Sequence, residues 1–416
     1  MLTAFSILSY VLRVNITVAK VQMAPALGFS TAQTGLVLSA FMLGYALFQV
    51  PMGIWGDRQG PRFTLTMCGV IWIATTVLSG LVPGILVQGS TASFVSLLIL
   101  RFVLGIGIAG TYPIAAKTVH NWFPSSGRAG AMAMVIIGAP IGIAFTSPFI
   151  ATVMQAFGWR ATFYLTALLP IPLVVWWWLQ ASDRPRELAG ATTKALDSAA
   201  PVGSSRASRG SWLKAFQNRN LLILSLSYFL DSYVLSVFIT WLFTYLVEER
   251  KLKIIVSGWL ACLPYLLSTA LLPSIGYLSD RLSARRGGLH GRRSIAIGCL
   301  LGSALMLLIG TLTAQVPVAV GAFSLSIALL FGAEGSYWST TIDLGDEDAG
   351  ASGGLMNLSG NLGALASTLV FPILVTSLHW NGALASGAAC ALVSAGLWLL
   401  LHVEPPRALS YARSPQ

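Results

Sequence analysis

The chain has 416 residues, of which 55% are hydrophobic and only 9% are charged, and its formal net charge is +11. A mean hydropathy of +0.76 excludes a soluble globular protein, and apolar runs of about 20 residues match the roughly 30 Å hydrocarbon core of a bilayer. The composition therefore predicts a protein that crosses a membrane several times.

The apolar runs are predicted to be helices, because lipid offers no partners to backbone polar groups and the runs lack the alternation of strands. A long polar stretch rich in Ser, Ala, Gly, Pro and basic residues separates the sixth run from the seventh and is typical of a flexible linker. Twelve runs follow one another, at about residues 3–24, 32–56, 62–82, 94–120, 128–156, 160–180, 219–247, 254–279, 293–314, 316–342, 349–377 and 380–403.

This arrangement predicts an all-α integral membrane protein built from two pseudo-symmetric six-helix bundles. Residues 1–180 form the N-terminal bundle, residues 181–215 a cytoplasmic linker, residues 216–404 the C-terminal bundle and residues 405–416 a short cytoplasmic tail. The first run begins almost at Met1 without a basic flank, from which we expect that a short upstream segment is missing.

Lysine and arginine predict the orientation of the chain, because they accumulate in loops that stay on the cytoplasmic side. If both termini are cytoplasmic, the outer loops hold only Arg160, Arg250, Lys251 and Lys253. The positive net charge then reflects membrane topology, and we expect no nucleic-acid partner. We expect a multi-pass protein of the inner (plasma) membrane that functions as a monomer in the lipid bilayer.

The cysteines and other reactive residues predict no catalytic chemistry. Cys68, Cys262, Cys299 and Cys390 lie inside or beside apolar runs without CxxC spacing, so we expect free thiols, no disulfide and no metal site. No Ser/His/Asp, paired-carboxylate or phosphate-cradling pattern appears. We therefore expect neither a cofactor nor an enzymatic activity.

A charged motif occurs twice, as "GIWGDRQGPR" at 53–62 and as "GYLSDRLSAR" at 276–285. Each copy follows the second predicted helix of a bundle, and such recurrence is typical of duplicated transporter halves. The acid can pair with arginines or a helix terminus, so each copy is a candidate latch for alternating access. A solvated loop would explain the arginines but not the repeated Gly-x-x-x-Asp-Arg pattern. The candidate residues are Gly53, Asp57, Arg58, Arg62, Asp280 and Arg281.

The first copy resembles the signature of the major facilitator superfamily, and the second copy resembles it in a weaker form. Similarity to the anion:cation symporter family of that superfamily runs over nearly the whole chain. The resemblance implies the fold of this superfamily and secondary active transport of an organic anion, such as a sugar acid, commonly driven by protons. The similar stretches are "RVNITVA" (13–19), "GFSTAQTGLVLSAFMLGYALFQVPMG" (28–53), "RFVLGIGIAGTYP" (101–113), "WLFTYL" (241–246) and "GGLMNLSGNLGALAS" (353–367).

Arg13 lies about ten residues into the first predicted helix, where a charged side chain is costly and usually faces a cavity. Tyr10, Thr17 and Lys20 share its helix face by spacing. The guanidinium offers two parallel donors to a carboxylate, so we predict that Arg13 binds the substrate carboxylate. The resemblance places Tyr10 and Tyr45 with Arg13 in the central site. The alternative is a structural ion pair between Arg13 and an acid on another helix.

Further polar and aromatic residues are candidates for the same site. Tyr45 and Gln49 lie one turn apart in the second helix, and Asn357 and Asn361 lie one turn apart in the Gly-rich eleventh. The amides could hydrogen-bond substrate hydroxyls or a carboxylate, or they could instead join neighbouring helices. Trp338 could stack on the substrate, although single aromatic residues in membrane helices usually serve packing.

The residues for proton coupling depart from the family pattern. The resemblance implies an acid before the first-helix Arg and another seven residues after the fourth-helix Arg101, but Leu12 and Ile108 occupy these places. Asp231 in the seventh helix and Glu334 in the tenth are the remaining intramembrane acids, and protonation would discharge either one for the return step. Either acid could pair with the first-helix Arg in the empty carrier. Alternatively, the excess of positive charge permits proton-independent exchange of anions.

Other functions fit the sequence less well. "GAPIGIAFTSP" in the fifth helix has closely spaced Gly and Pro, which are also a feature of drug:proton antiporters, but an exporter of cations would favour acids in its cavity. A non-transporting sensor on the same scaffold often carries a large soluble extension, and here the loops and tails are short. The sequence therefore favours transport of an organic anion.

Overall fold

The computed structural model describes residues 1–122, 131, 134–183, 216–286, 288–345 and 349–401, and nearly all of them are helical. Residues 184–215 of the predicted linker and the whole predicted tail lie outside the described residues. The described helices are α1 (Leu2–Leu27), α2 (Thr31–Gln59), α3 (Pro61–Leu81), α4 (Ser90–Ala109 continued by Thr111–Trp122), α5 (138–157), α6 (159–180), α7 (Arg219–Glu248), α8 (Ile254–Arg286), α9 (Gly288–Leu312), α10 (Val316–Gly345), α11 (349–378) and α12 (380–399).

Two backbone breaks divide long helical runs into separate spans. Within the described residues, 10 helical segments are long and apolar enough to cross a membrane, and two of them have 47 and 48 residues, about twice the length that a bilayer requires. Gly158 (φ 79°) and His379 (φ 55°) interrupt these two runs with non-helical backbone. The division agrees with the twelve predicted helices and confirms the predicted all-α membrane fold.

Consecutive helices run in opposite directions, which defines two ends of the bundle. Gly28 ends α1 in the left-handed region at φ 69°, and we call its side of the molecule the Gly28 end. Gly60 links α2 to α3 at φ 85°, and we call that side the Gly60 end. Both turns use a backbone conformation that glycine adopts without a Cβ clash.

The helix pairing is repeated in the two halves. In the N-terminal half α1 packs on α5 and α2 on α4; in the C-terminal half α7 packs on α11 and α8 on α10. Between the halves, α8 contacts α5, α11 contacts α2 and α7 contacts α1. This repetition is what a duplicated six-helix unit produces, and the contacts between the halves enclose a central space.

Close packing of α2 on α4 depends on two glycines that face each other. A Cβ atom on Gly105 would overlap the Phe41 carbonyl oxygen and lie 2.9 Å from the Tyr45 nitrogen. A Cβ atom on Gly44 would likewise overlap the Phe102 carbonyl oxygen. Small residues therefore let the two backbones touch, and this contact sets the position of the part of α2 that lines the central space.

Candidate substrate site between the two halves

A cavity lies between α1, α2 and α4 of the N-terminal half and α7 and α11 of the C-terminal half. Its wall combines two guanidinium groups, several hydroxyl groups and apolar side chains. The arrangement suits a small molecule with an anionic group and an otherwise compact body. The lining residues are Arg13, Val14, Ile16, Thr17, Leu38, Phe41, Met42, Arg101, Ser236, Ile239, Thr240 and Thr368.

Arg13 lies among aromatic rings in this cavity. Its guanidinium carbon is 5.4 Å from the ring centroid of Tyr10, 5.5 Å from that of Phe41 and 5.7 Å from that of Tyr45. Its one hydrogen bond within the described residues is a 3.5 Å contact from Nη2 to the Met42 sulfur, and sulfur is a weak acceptor. The rings hold the cation by cation–π attraction and leave most of its donors for a ligand. The structure thus brings the predicted residues Tyr10, Arg13 and Tyr45 together.

Two more predicted residues form a polar chain from this cluster toward the Gly60 end. Gln49 Nε2 donates to the Tyr45 hydroxyl at 3.0 Å, and Asn357 Nδ2 donates to Gln49 Oε1 at 2.9 Å. The second bond joins α2 of one half to α11 of the other. Asn361 lies one turn farther along α11, and its side chain makes no hydrogen bond to the described residues. Trp338 stands apart on α10, 39% exposed.

Arg101 is more deeply buried than Arg13 and is held by the N-terminal half. It is 1% exposed, Nη2 donates to Asn15 Oδ1 at 3.2 Å, and Nη1 lies 3.4 Å from the Leu12 carbonyl oxygen. Asn15 in turn donates to Thr166 Oγ1 at 3.2 Å. Within the described part of the chain no carboxylate contacts Arg101, which agrees with the replacement of the expected acids by Leu12 and Ile108.

The two predicted coupling acids lie together in the C-terminal half, away from Arg13. The Tyr228 hydroxyl donates to Glu334 at 3.0 Å. Asp231 is fully buried, and neither of its oxygens has a hydrogen-bond partner among the described atoms. The predicted ion pair between Arg13 and one of these acids does not form in this structure, in which Arg13 stays among the rings of α1 and α2.

The first charged motif contacts the end of α6. The Arg62 guanidinium donates through Nε and Nη2 to the Trp178 carbonyl oxygen at 2.9 and 2.7 Å, and the Arg62 backbone N–H donates to Asp183 at 2.8 Å. A Cβ atom on Gly53 would lie at an ordinary 3.5 Å from Pro113. Arg58 is exposed.

Asp57 and Asp280 are the acids of the two motifs, and their side chains lie outside the described residues. Arg281 is exposed at the Gly60 end of α8. Near the same end, Arg292 forms an ion pair with Asp343 between α9 and α10. The sequence pattern did not indicate Asp343 or Asp183, since neither belongs to a repeated motif.

Several residues of the site escaped sequence analysis. Phe41 and Met42 lie one turn before Tyr45 on α2, and this helical spacing indicates that they share a face with Tyr45. Ser236 and Thr240 lie one turn apart on α7 and could have been found in the same way. Ordinary apolar or hydroxyl residues at such spacing occur in every membrane helix, so the signal alone does not single them out.

Lys20 was predicted on the face of Arg13, but it reaches across to the other half. Its ammonium donates to the Thr240 carbonyl oxygen at 2.9 Å and lies 3.2 Å from the Trp241 ring centroid. The hydroxyls of Ser39 and Thr368 are also 2.6 Å apart, between α2 and α11. These contacts close the cavity toward the Gly28 end.

We expect Lys20→Met to weaken this closure. Methionine keeps the length of the side chain but removes the charge and the donors, and a hydrogen bond to a charged group contributes roughly 1.5–3 kcal/mol, or about 10- to 100-fold in the closed-to-open equilibrium. Spin labels on Ala32→Cys and Leu312→Cys, at the Gly28 end of the two halves, should report a larger fraction of long distances. Exposed Lys253→Met is the control, and an unchanged distance distribution in Lys20→Met would contradict the prediction.

Comparison with known proteins places the chain among transporters. Residues 2–366 match the family model described as Major Facilitator Superfamily. The chain is 29% identical to the hexuronate transporter of Bacillus subtilis (strain 168) over 96% of this chain and 92% of that protein. It is 30% identical to the probable sulfoacetate transporter of Cupriavidus necator over 96% and 93%. The crystal structure of a D-xylose-proton symporter matches with a TM-score of 0.75 over 95% of each chain at 14% identity, which shows the same fold.

Proposed function

The chain belongs to the major facilitator superfamily, and from this premise we propose that it moves a small organic anion across the membrane by alternating access. Membership makes it a multi-pass membrane transporter and not an enzyme. The two relatives are named for hexuronate and sulfoacetate, which are both organic anions. These names support a sugar acid or another small carboxylate as the class of substrate.

The observation that carries the proposal is the position of Arg13. Its guanidinium lines the cavity between the halves and has no carboxylate partner within the described residues. A guanidinium can bind both oxygens of a carboxylate through two parallel hydrogen bonds. In a cavity walled by Phe41 and Met42 such a pair is poorly screened by water and therefore strong. A substrate carboxylate would supply the partner that the described residues lack.

The remaining predicted residues would recognise the rest of the substrate. Tyr10 and Tyr45 flank Arg13, so their hydroxyls can bond to substrate oxygens near the carboxylate. The bond between Gln49 and Asn357 joins the two halves, and a substrate that binds between the halves would compete with it for both amides. The two charged motifs would stabilise the other conformation of the transporter, in which the Gly60 end is closed.

Further parts of the proposal concern location and coupling. We propose that the protein resides in the plasma (inner) membrane with both termini in the cytoplasm, works as a monomer and takes up its substrate together with a proton. The bacterial sources of the relatives and the accumulation of Arg and Lys in loops of the Gly60 end support this location and orientation. The Gly28 end would then face outward.

A second candidate function is exchange of anions without a proton. It is favoured by the surroundings of Arg101, which contacts Asn15 and the Leu12 carbonyl oxygen in place of an acid. Uptake that is unchanged by a pH gradient but accelerated by internal substrate would support exchange. Uptake that follows the pH gradient would support symport.

The substrate class can be tested by thermal unfolding of the purified protein. Sugar acids, aromatic acids, dicarboxylates, sulfoacetate and amphipathic cations would be added separately. A ligand at about 100 times its Kd should stabilise the folded state by roughly 2.7 kcal/mol. We expect stabilisation by one class of anion and none by the cations. Stabilisation by amphipathic cations alone would overturn the proposal in favour of a drug exporter.

A further inference from the structure

The C-terminal half contains an acid pair that the anion-binding cluster does not use. Among the acids whose side chains the structure describes, Asp183, Glu248, Glu249 and Asp343 lie at or near helix ends. Asp231 on α7 and Glu334 on α10 lie well inside their helices. An ionisable residue inside a membrane span is retained mainly where it serves a function.

The surroundings of Asp231 suit a bound proton better than an ionised carboxylate. The side chain is 0% exposed, and neither oxygen has a hydrogen-bond partner among the described residues. The titratable groups that face it are Glu334 and Tyr337 from α10, Cys299 from α9 and Tyr228 from its own helix. All four are acids or weak acids, and no described basic side chain forms an ion pair with Asp231. A buried charge without a partner is unfavourable, and a proton removes it.

Glu334 is the more exposed member of the pair. It is partly exposed, and both of its oxygens lie near the Tyr228 hydroxyl, at 3.0 and 3.3 Å. The Tyr228 ring is also close to Tyr337, with centroids 5.0 Å apart. Asp231 and Glu334 interact electrostatically, and two carboxylates in one low-dielectric site are more stable with one of them protonated than with both charged.

Tyr228, which donates to Glu334, also contacts the helix that joins the two halves. On α11, a Cβ atom at Gly360 would lie 2.5 Å from the Tyr228 ring, so the ring packs directly on that helix. One turn before Gly360, Asn357 makes the hydrogen bond to Gln49 of the other half. A change in the hydrogen bond between Tyr228 and Glu334 can therefore reach the contact between the halves through α11.

We propose that Asp231 and Glu334 form a proton-binding site in the C-terminal half, and that this site couples proton movement to the anion. This site would bind the coupled proton in place of the acids that the family resemblance implies at the positions of Leu12 and Ile108. A proton binds to a carboxylate oxygen of this pair and leaves again after the halves have rocked. The coupling role rests on the proposed transport function, whereas the proton site itself does not.

The site can be tested without a substrate by infrared difference spectroscopy of the purified full-length protein. Between pH 6 and pH 9, exposed carboxyl groups are already ionised, so a carboxyl carbonyl band that changes in this interval reports a perturbed acid. We expect this band in the wild type, its loss in Asp231→Asn and Glu334→Gln, and a frequency shift in Tyr228→Phe. Glu248→Gln is the matched control. An identical band in both acid variants, or a response to Na⁺ instead of pH, would overturn the proposal.

Transport in proteoliposomes separates the coupling role from the proposed function. Glucuronate and sulfoacetate serve as probes, and accumulation driven by a pH gradient is compared with exchange against internal probe. Glu334→Gln should lose gradient-driven accumulation and keep exchange. Equal gradient dependence in wild type and variant would refute the coupling role. If the wild type moves neither probe, neither compound is its substrate, and the infrared result still decides the proton site.

Discussion

Replacing Arg13 with alanine is expected to reduce uptake of the organic anion by at least about 30-fold. Truncating one partner of a buried, hydrogen-bonded charge pair costs roughly 2–5 kcal/mol, and 2 kcal/mol corresponds to about 30-fold. The loss should appear in the substrate concentration needed for half-maximal uptake as well as in the maximal rate. Arg101, the other guanidinium of the cavity wall, is already held by Asn15 and the Leu12 carbonyl oxygen, so we do not expect it to replace Arg13 directly.

The Arg13→Lys variant distinguishes charge from geometry. Lysine keeps the positive charge but cannot present two parallel donors to a carboxylate, so we expect weaker binding than in the wild type and stronger binding than in Arg13→Ala. Uptake by cells and thermal stabilisation of the purified protein by the same anion measure the two effects. Arg219→Ala, an exposed arginine at the start of α7, is the control and should behave as the wild type.

Unchanged uptake in Arg13→Ala would mean that Arg13 does not bind the substrate carboxylate. If Arg13→Ala lowers the yield of folded protein but leaves uptake per folded molecule unchanged, the cation serves to hold the aromatic rings of α1 and α2 together. If uptake of several unrelated anions survives in Arg13→Ala, the substrate carboxylate binds elsewhere in the cavity. Quantifying the protein in the membrane for each variant separates these outcomes.

Gly105→Val is expected to prevent the N-terminal half from folding. Its side chain would collide with the Phe41 carbonyl oxygen, and because this atom belongs to a helix backbone, α2 and α4 would have to move apart. Overpacking of a core typically costs 1–3 kcal/mol, and we expect a larger effect here because no flexible side chain can yield. The displacement would also move Phe41 and Tyr45 away from Arg13.

The control for this substitution is Gly321→Val on α10. No atom lies within 4 Å of a Cβ built at Gly321, and the residue is exposed on the surface of the helix bundle. Size-exclusion profiles of solubilised protein should show aggregation for Gly105→Val and a monodisperse peak for Gly321→Val. A well-folded Gly105→Val with unaltered thermal stability would mean that α2 and α4 tolerate separation.

The sequence predicts the number of helices better than it predicts their lengths. The twelve apolar runs agree with the described spans, and the predicted break between 156 and 160 coincides with Gly158. The eighth helix was predicted to end at 279 but continues to Arg286. Hydrophobicity marks only the part of a helix that lies in lipid, whereas the polar continuation forms because its residues keep the helical hydrogen-bond ladder in water.

The candidate site was predictable where its members lie on one helix. Tyr10, Arg13 and Thr17 follow one another at helical spacing on α1, so a common face could be inferred. Lys20 follows the same spacing, yet its side chain extends to Thr240 of α7. A long side chain reaches beyond its own turn, and the partner it meets depends on how another helix packs.

The sequence by itself determined the number of membrane helices, the repeated halves, the cation within the first helix and the two acids in the second half. Hydropathy, charge and helical spacing depend on neighbouring residues, so they can be read along the chain. Only the tertiary structure decided that Arg13 has aromatic rings and no described acid beside it, that Asp231 and Glu334 interact electrostatically, and that Asn357 bonds to Gln49. These contacts join residues from different helices, and only the packing of whole helices brings them together.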